Sequence, residues 1–163
     1  MSTMEEKLSR AIQLRKERKV EEARENLLAL LQEYPENAQV NFHLAWVHDL
    51  LGLEREAIPY YEKAIHIGLS DEDLQGALLG MGSTYRCIGE YQRACETFQR
   101  AIELFPTRHE FRAFLAMTYY NLDQPTKAME LLLNSLAETS RDEGIIAYKD
   151  AIQFYADKLD QTW

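Results

Sequence analysis

The chain has 163 residues, with 18 Lys and Arg against 27 Asp and Glu and a formal charge of −9. That length buries a real core in one domain (1–163), and seven glycines with four prolines exclude collagen, low-complexity and turn-rich all-β chains. The acidity argues against nucleic acid or an anionic membrane surface as the partner.

Self-similarity organises the chain. Four segments align when started at Met4, Ala38, Gln75 and His109, at offsets of 34, 37 and 34 residues. The first segment (about 4–37) opens on Thr3-x2-Glu6, a cap-plus-acid helix start. It then reads Ala11-x2-Leu14, Ala23-x3-Leu27 and Pro35. Its 8 acids and 7 bases through residue 37 interleave as on a solvated helix.

The second segment (about 38–74) reads Leu44-Ala45-x2-His48, Gly52, Ala57-x3-Tyr61 and Ala64. It holds 7 acids and 2 bases, over half of the net charge. That excess reads either as a solvated outer face or as a docking surface for a basic partner. Pro59 is placed in a first helical turn, where a missing N–H costs little.

The third segment (about 75–108) is the clearest: Leu78-x2-Met81-Gly82-x2-Tyr85, Ala94-x3-Phe98, Ala101 and Pro106. Ser70-x2-Asp73 precedes it, and the three extra residues of the 37-residue offset fall there, lengthening either the loop or the helix start. The fourth segment (about 109–142) reads Leu115-Ala116-x2-Tyr119 and Ala128-x3-Leu132, with Ser135 in the Ala101 column. Thr107-x2-Glu110 and Ser140-x2-Glu143 are further helix-start signals. Beyond it, Ile145, Tyr148, Ile152, Tyr155 and Leu159 repeat at helical spacing and predict a capping helix over about 143–160. Ile146, Phe154 and Trp163 fall off that stripe, so the tail is more apolar than a cap requires.

These columns resemble the tetratricopeptide repeat superfamily, whose pattern is W-x2-L-G-x2-Y, A-x3-F and P at a period of about 34. The departures are modest. The leading Trp column holds Lys7, Asn41, Leu78 and Arg112, and His48 replaces Tyr. The strings AWVHDLLG (Ala45–Gly52), GLSDEDLQGALLGMGSTYRCIGEY (Gly68–Tyr91), FLAMTYYNL (Phe114–Leu122) and LLNSLAETS (Leu132–Ser140) are most similar to a small bacterial group of such proteins without an assigned activity.

The resemblance implies an all-α fold, a right-handed superhelix of antiparallel helix pairs ending in a capping helix. Ala11, Ala45, Gly82 and Ala116 are the small residues where paired helices touch, and Ala23, Ala57, Ala94 and Ala128 do the same on second helices. Leu27, Tyr61, Phe98 and Leu132 are the large side chains that fill the space between. Gly52 and Gly89 fall in turns within repeats, and Pro35 and Pro106 close second helices.

First helices line the concave side of such a stack. Their outward stripe reads Leu8, Ile12, Arg15 and Lys16; then Phe42, Trp46, Asp49 and Leu50; then Leu79, Ser83, Arg86 and Cys87; then Ala113, Met117, Tyr120 and Asn121. Chaperone-type relatives grip a terminal carboxylate at columns that here hold Leu8, Ile12, His43, Gly76 and Gly80, which make no charged clamp. The groove is therefore expected to take an apolar or helical peptide. Phe42, Trp46 and Leu50 have an alternative place inside the fold or against the chain's own tail.

Little chemistry accompanies this frame. His43 and His48 stand five residues apart, on different faces of one helix, and His48 belongs to a core column. Ser83 lies within a helix rather than on a strained elbow, and no phosphate loop or metal cluster is visible. Gly76, Gly80 and Gly82 serve close packing. Cys87 and Cys95 match neither a redox pair nor a zinc site, which suits a reducing, cytoplasmic compartment. The N-terminal residues lack a secretion-signal profile, and no apolar run approaches a membrane span. The expectation is a protein that is not an enzyme and needs no cofactor. It is a scaffold for a protein or peptide partner, or a homodimer built through the tail residues Ile145, Ile146, Tyr148, Ile152, Tyr155, Leu159 and Trp163.

Overall fold

A computed structural model describes residues 2–163. The described residues form helices and connecting turns, with no strand among them. In chain order the helices are α1 (Met4–Lys16), α2 (Val20–Glu33), α3 (Ala38–Leu50), α4 (Glu54–Ile67), α5 (Asp71–Cys87), α6 (Tyr91–Leu104), α7 (Glu110–Asn121), α8 (Pro125–Thr139), α9 (Glu143–Ala147) and α10 (Lys149–Tyr155). The chain divides into two compact units, one ending at Glu90 and the other running Tyr91–Trp163.

One turn recurs four times. Arg18, Gly52, Gly89 and Asp123, which share a column of the repeat, all have positive φ, at 63°, 71°, 82° and 57°. After α1, the Arg18 N–H bonds the Arg15 carbonyl at 3.0 Å and the Lys19 N–H reaches the Leu14 carbonyl at 2.9 Å. The same two bonds follow α3 (Gly52 to Asp49, Leu53 to His48), α5 (Gly89 to Arg86, Glu90 to Tyr85) and α7 (Asp123 to Tyr120, Gln124 to Tyr119). This is the Schellman arrangement, in which a left-handed residue lets the last carbonyls of a helix find donors.

In the first unit α1 packs on α2, α2 on α3, α3 on α4 and α4 on α5. Its core joins Leu8, Ala11 and Leu14 of α1 to Ala23, Leu27 and Leu30 of α2 and to Val40, Leu44 and Val47 of α3. Ala45 and Ala57 are fully buried, as their columns require. Thr3 caps α1 in a complete capping box with Glu6, and Ser70 caps α5 through the Asp73 N–H. The extra residues before the third repeat are thus helix: α5 starts at Asp71 and runs 17 residues, against 13 in α1 and α3.

The second unit packs α6 on α7 and α7 on α8, with α9 and α10 laid against α8. Ala94, Phe98, Ala101, Phe111, Leu115, Ala116 and Ala128 are buried there, and the Phe98 and Phe114 rings lie 5.8 Å apart.

Several local expectations are corrected. Pro59 sits inside α4, in its second turn, where it leaves the Arg55 carbonyl without its helical donor on an exposed face of the helix. Thr107 does not cap α7, because Pro106–Arg108 form a separate turn and Arg108 takes Glu110, its Nε 2.8 Å from the carboxylate. Asp142, not Ser140, caps the tail by accepting the Ile145 N–H. The predicted capping helix over 143–160 is two short helices, broken at Tyr148 (φ −106°, ψ 15°) and finished at Tyr155. A five-residue helix with Gly144 in its second position has too few hydrogen bonds to hold its register. Leu132 is 42% exposed rather than filling a gap, because these short pieces do not supply the long first helix that covers its column in a further repeat.

The α4–α5 contact depends on one missing side chain. A Cβ at Gly80 would overlap the Tyr61 hydroxyl and lie 2.7 Å from its Cζ, and Tyr61 is itself 2% exposed. Gly80→Ala is therefore expected to destabilise the fold by about 1–3 kcal/mol through overpacking. Urea unfolding of the variant against wild type measures it, and an unchanged midpoint would contradict this packing.

Candidate functional site

Helix α3 is the centre of the first unit, packed by α2 and α4 and also reached by α1 and α5. Consequently Val40 to Ala45, Val47 and His48 are all buried, although the run contains Asn41 and two histidines. Most of these buried polar atoms have a partner, the Asn41 Oδ1 being the exception. Asn41 Nδ2 donates to the Asn37 carbonyl at 2.8 Å. The His48 Nδ1 lies 2.7 Å from the Leu44 carbonyl and is the donor there, since a carbonyl only accepts.

Trp46 and Leu50, one turn apart, are the apolar side chains of α3 left open, at 39% and 53% exposure. The Arg15 guanidinium from α1 lies over the Trp46 ring, 3.5 Å from its centroid. Arg15 Nη1 also donates to His43 Nδ1 at 2.8 Å, and the His43 ring stacks 6.3 Å from Trp46. Burial, then the Arg15 charge, push the His43 pKa down to about 4, with Lys16 adding to the effect and Asp73 opposing it. Neutral His43 thus accepts from Arg15 and holds the cation over the indole.

A cavity of about 690 Å³ opens beside this stack, lined by Arg15, Lys16, Arg18, Val20, Trp46 and Leu50. Three cations meet three apolar side chains there. Burial lowers the pKa of the Arg15 guanidinium, and the Tyr61 hydroxyl opposes that shift.

Asp49 does something different. Its carboxylate accepts the Tyr61 hydroxyl of α4 at 2.6 Å and lies 2.8 Å from Thr84 Oγ1 of α5. Burial raises its pKa, while those two hydroxyls act to lower it. Thr84 is also 2.7 Å from the Gly80 carbonyl, so its single proton is shared between two acceptors. Asp49 therefore ties three helices together and is not a free groove acid, which corrects its expected place.

The other predicted groove residues divide. Leu8 and Phe42 are buried and so do not face a groove; Leu8 belongs to the α1–α3 core, and Phe42 packs 3.0 Å from where a Gly76 Cβ would sit. Ile12 is half-buried against the same core. Leu79, Ser83 and Arg86 are half-buried on α5, away from the cavity lining. In the second unit Met117 and Tyr120 are exposed on α7 and Asn121 is half-buried. Arg18 and Val20 line the cavity and were not anticipated. The repeat alignment held the signal for Arg18, because its column is Gly in the next two repeats.

The tail residues also divide. Ile145 and Ile152 are half-buried, whereas Ile146, Tyr148, Tyr155, Leu159 and Trp163 are exposed. Breaking the helix at Tyr148 breaks its stripe as well. Phe154, Tyr155 and Trp163 form their own cluster, with ring centroids 5.1–6.4 Å apart. Among the described residues, no three His, Cys, Asp or Glu converge on a metal-sized site, and no helix is long and apolar enough to cross a membrane.

A family model described as tetratrico peptide repeat matches residues 38–159. Among solved structures, MamA from Desulfovibrio magneticus RS-1 is similar at a TM-score of 0.77 and 18% identity, over 86% of this chain and 78% of that one. MamA of AMB-1 is similar at 0.74 and 18%, over 82% and 77% of the two chains. A chain of the APC/C hetero-tetramer Cut9–Hcn1 is similar at 0.76 and 16%, over 94% of this chain and 30% of that one. At these identities the likeness shows the fold. Among curated proteins, none matches the chain.

The His43 contact has a pH signature. A histidine with a folded pKa near 4, against 6.5 when unperturbed, stabilises the fold fully above pH 6.5 and loses that contribution as pH falls through about 4. The loss is on the order of 3 kcal/mol across that window. Unfolding free energy measured from pH 7 to pH 4 should fall more steeply in wild type than in His43→Gln. Equal slopes would place the His43 titration elsewhere.

Proposed function

Because the chain belongs to the tetratricopeptide repeat family, we propose that it is a non-enzymatic interaction scaffold whose partner is a peptide segment seated on the first unit. Helix pairs of this family serve as protein-interaction surfaces, and Cut9–Hcn1 is itself a protein assembly. The observation that carries the reading is the open Trp46–Leu50 face beside a cavity of about 690 Å³. A large aromatic held rigid by Arg15 and still accessible is the kind of side chain that dominates binding energy at protein interfaces. A short apolar or helical segment fits such a face, with its own apolar residue on the indole.

Affinity capture from the native cell, read by mass spectrometry, tests the reading. Trp46→Ala should lose the wild-type partners while keeping the circular-dichroism spectrum of the fold. Recovery of the same partners in the same amounts would refute the proposal.

A second reading has its own observation. On α8, Met129, Leu132 and Leu136 are 42–44% exposed, and the tail adds Ile146, Tyr148, Phe154, Leu159 and Trp163. An apolar surface of this kind on a free chain marks an association site, and self-association through a symmetric tail interface would cover it. Light scattering at micromolar concentration should then give twice the chain mass. Leu132→Glu combined with Leu136→Glu should return a monomer with a near wild-type melting temperature, since both side chains are already exposed. A wild-type monomer would dispose of this reading.

A further inference from the structure

The first unit closes its α1–α2 turn with an arginine where the next two turns use glycine. Arg18 sits at φ 63°, whereas Gly52 and Gly89 occupy the same left-handed position at 71° and 82°. An L-residue with a Cβ is strained there, and glycine is not. An arginine kept at a strained position points to a use for its side chain. That side chain lines the cavity beside Arg15 and Lys16.

The three cations have no anionic partner among the described residues. Ion pairs form elsewhere on the first unit, such as Lys7–Glu33, Lys19–Glu17 and Lys63–Glu36, but none reaches Arg15, Lys16 or Arg18. Arg15 is half-buried as well, and its contacts with His43 and Trp46 bring it no negative charge. This concentration of positive charge stands in a chain of net charge −9. The rest of the lining is apolar: Val20, Trp46 and Leu50.

We infer that the cavity selects a peptide in which an acidic side chain neighbours an apolar one, the carboxylate meeting Arg15, Lys16 and Arg18 and the apolar group lying on Trp46 and Leu50. The inference rests on the peptide-scaffold reading and adds the chemistry of its ligand. Charge complementarity favours a carboxylate at the cations, and the guanidinium forks of Arg15 and Arg18 suit its two oxygens. A purely apolar peptide would bury the cations and leave them unpaired. A nucleic acid brings anions too, but a chain of net charge −9 repels an extended polyanion, whereas a single acidic side chain is admitted.

Panning a display library of random peptides, about a dozen residues long, against the whole chain tests this. Recovered sequences should pair Asp or Glu with Leu, Ile, Phe or Trp. Their affinity should drop by about tenfold in Arg18→Gly, the scale of one charge-assisted hydrogen bond. The melting temperature of Arg18→Gly should stay level or rise, because glycine relieves the turn, so weaker binding cannot be ascribed to unfolding. Recovered peptides without acidic residues, an unchanged affinity in Arg18→Gly, or displacement by a single-stranded oligonucleotide at equal concentration would overturn the inference and leave the scaffold reading standing. Recovery of no peptide that needs Trp46 would overturn both.

Discussion

The fold depends on one backbone requirement, repeated at each first-helix end. A helix that must reverse within three residues leaves its last carbonyls without donors unless one residue turns left-handed. Arg18, Gly52, Gly89 and Asp123 meet that requirement with the same pair of hydrogen bonds. The turn fixes where the next helix begins, and so which of its faces meets the one before. Ala11 and Ala23, then Ala45 and Ala57, come out fully buried because that register is constant. With no large side chain in these columns, helix backbones approach closely, and Leu27 and Tyr61 fill the remaining space.

From this register follows the character of α3. Surrounded by neighbours, it buries most of its length, and Asp49, His43 and His48 are absorbed into specific bonds. Two outcomes differ in kind. Asp49 is tied by Tyr61 and Thr84 into a node that joins α3, α4 and α5, with Gly80 leaving room for the Tyr61 hydroxyl. His43 is held neutral and positions Arg15 against Trp46. The first arrangement makes the unit rigid. The second leaves a rigid aromatic and a cation at the surface, where a partner can reach them.

The repeat columns were legible in the sequence because they are set by the backbone contact itself: only small residues fit, at a fixed period. The outward stripe was less legible, since helical periodicity gives a direction and not a depth. Leu8 and Phe42 lie on the predicted stripe yet are buried, because neighbouring helices wrap further around α1 and α3 than one paired partner would. Periodicity places Asp49 on the groove stripe because the hydroxyls that claim it stand 12 and 35 positions away. The tail departs from its sequence pattern for the opposite reason. Its apolar residues keep helical spacing, but Gly144 and the break at Tyr148 deny them a common helix axis.

Charge shows the same separation between pattern and place. Summed over the chain it is −9, and the second repeat holds most of it, so composition alone describes an acidic surface. The first repeat is near neutral in sum, with acids and bases interleaved along the chain. Folding sorts them. Glu17 and Glu33 pair with Lys19 and Lys7, whereas Arg15, Lys16 and Arg18 come together at the end of α1 facing Trp46 and Leu50. The side-chain charge lining this cavity is therefore opposite in sign to the protein's net charge. Electrostatic complementarity acts at that local scale, within a Debye length of about 8–10 Å, while the net charge governs how the whole molecule is approached.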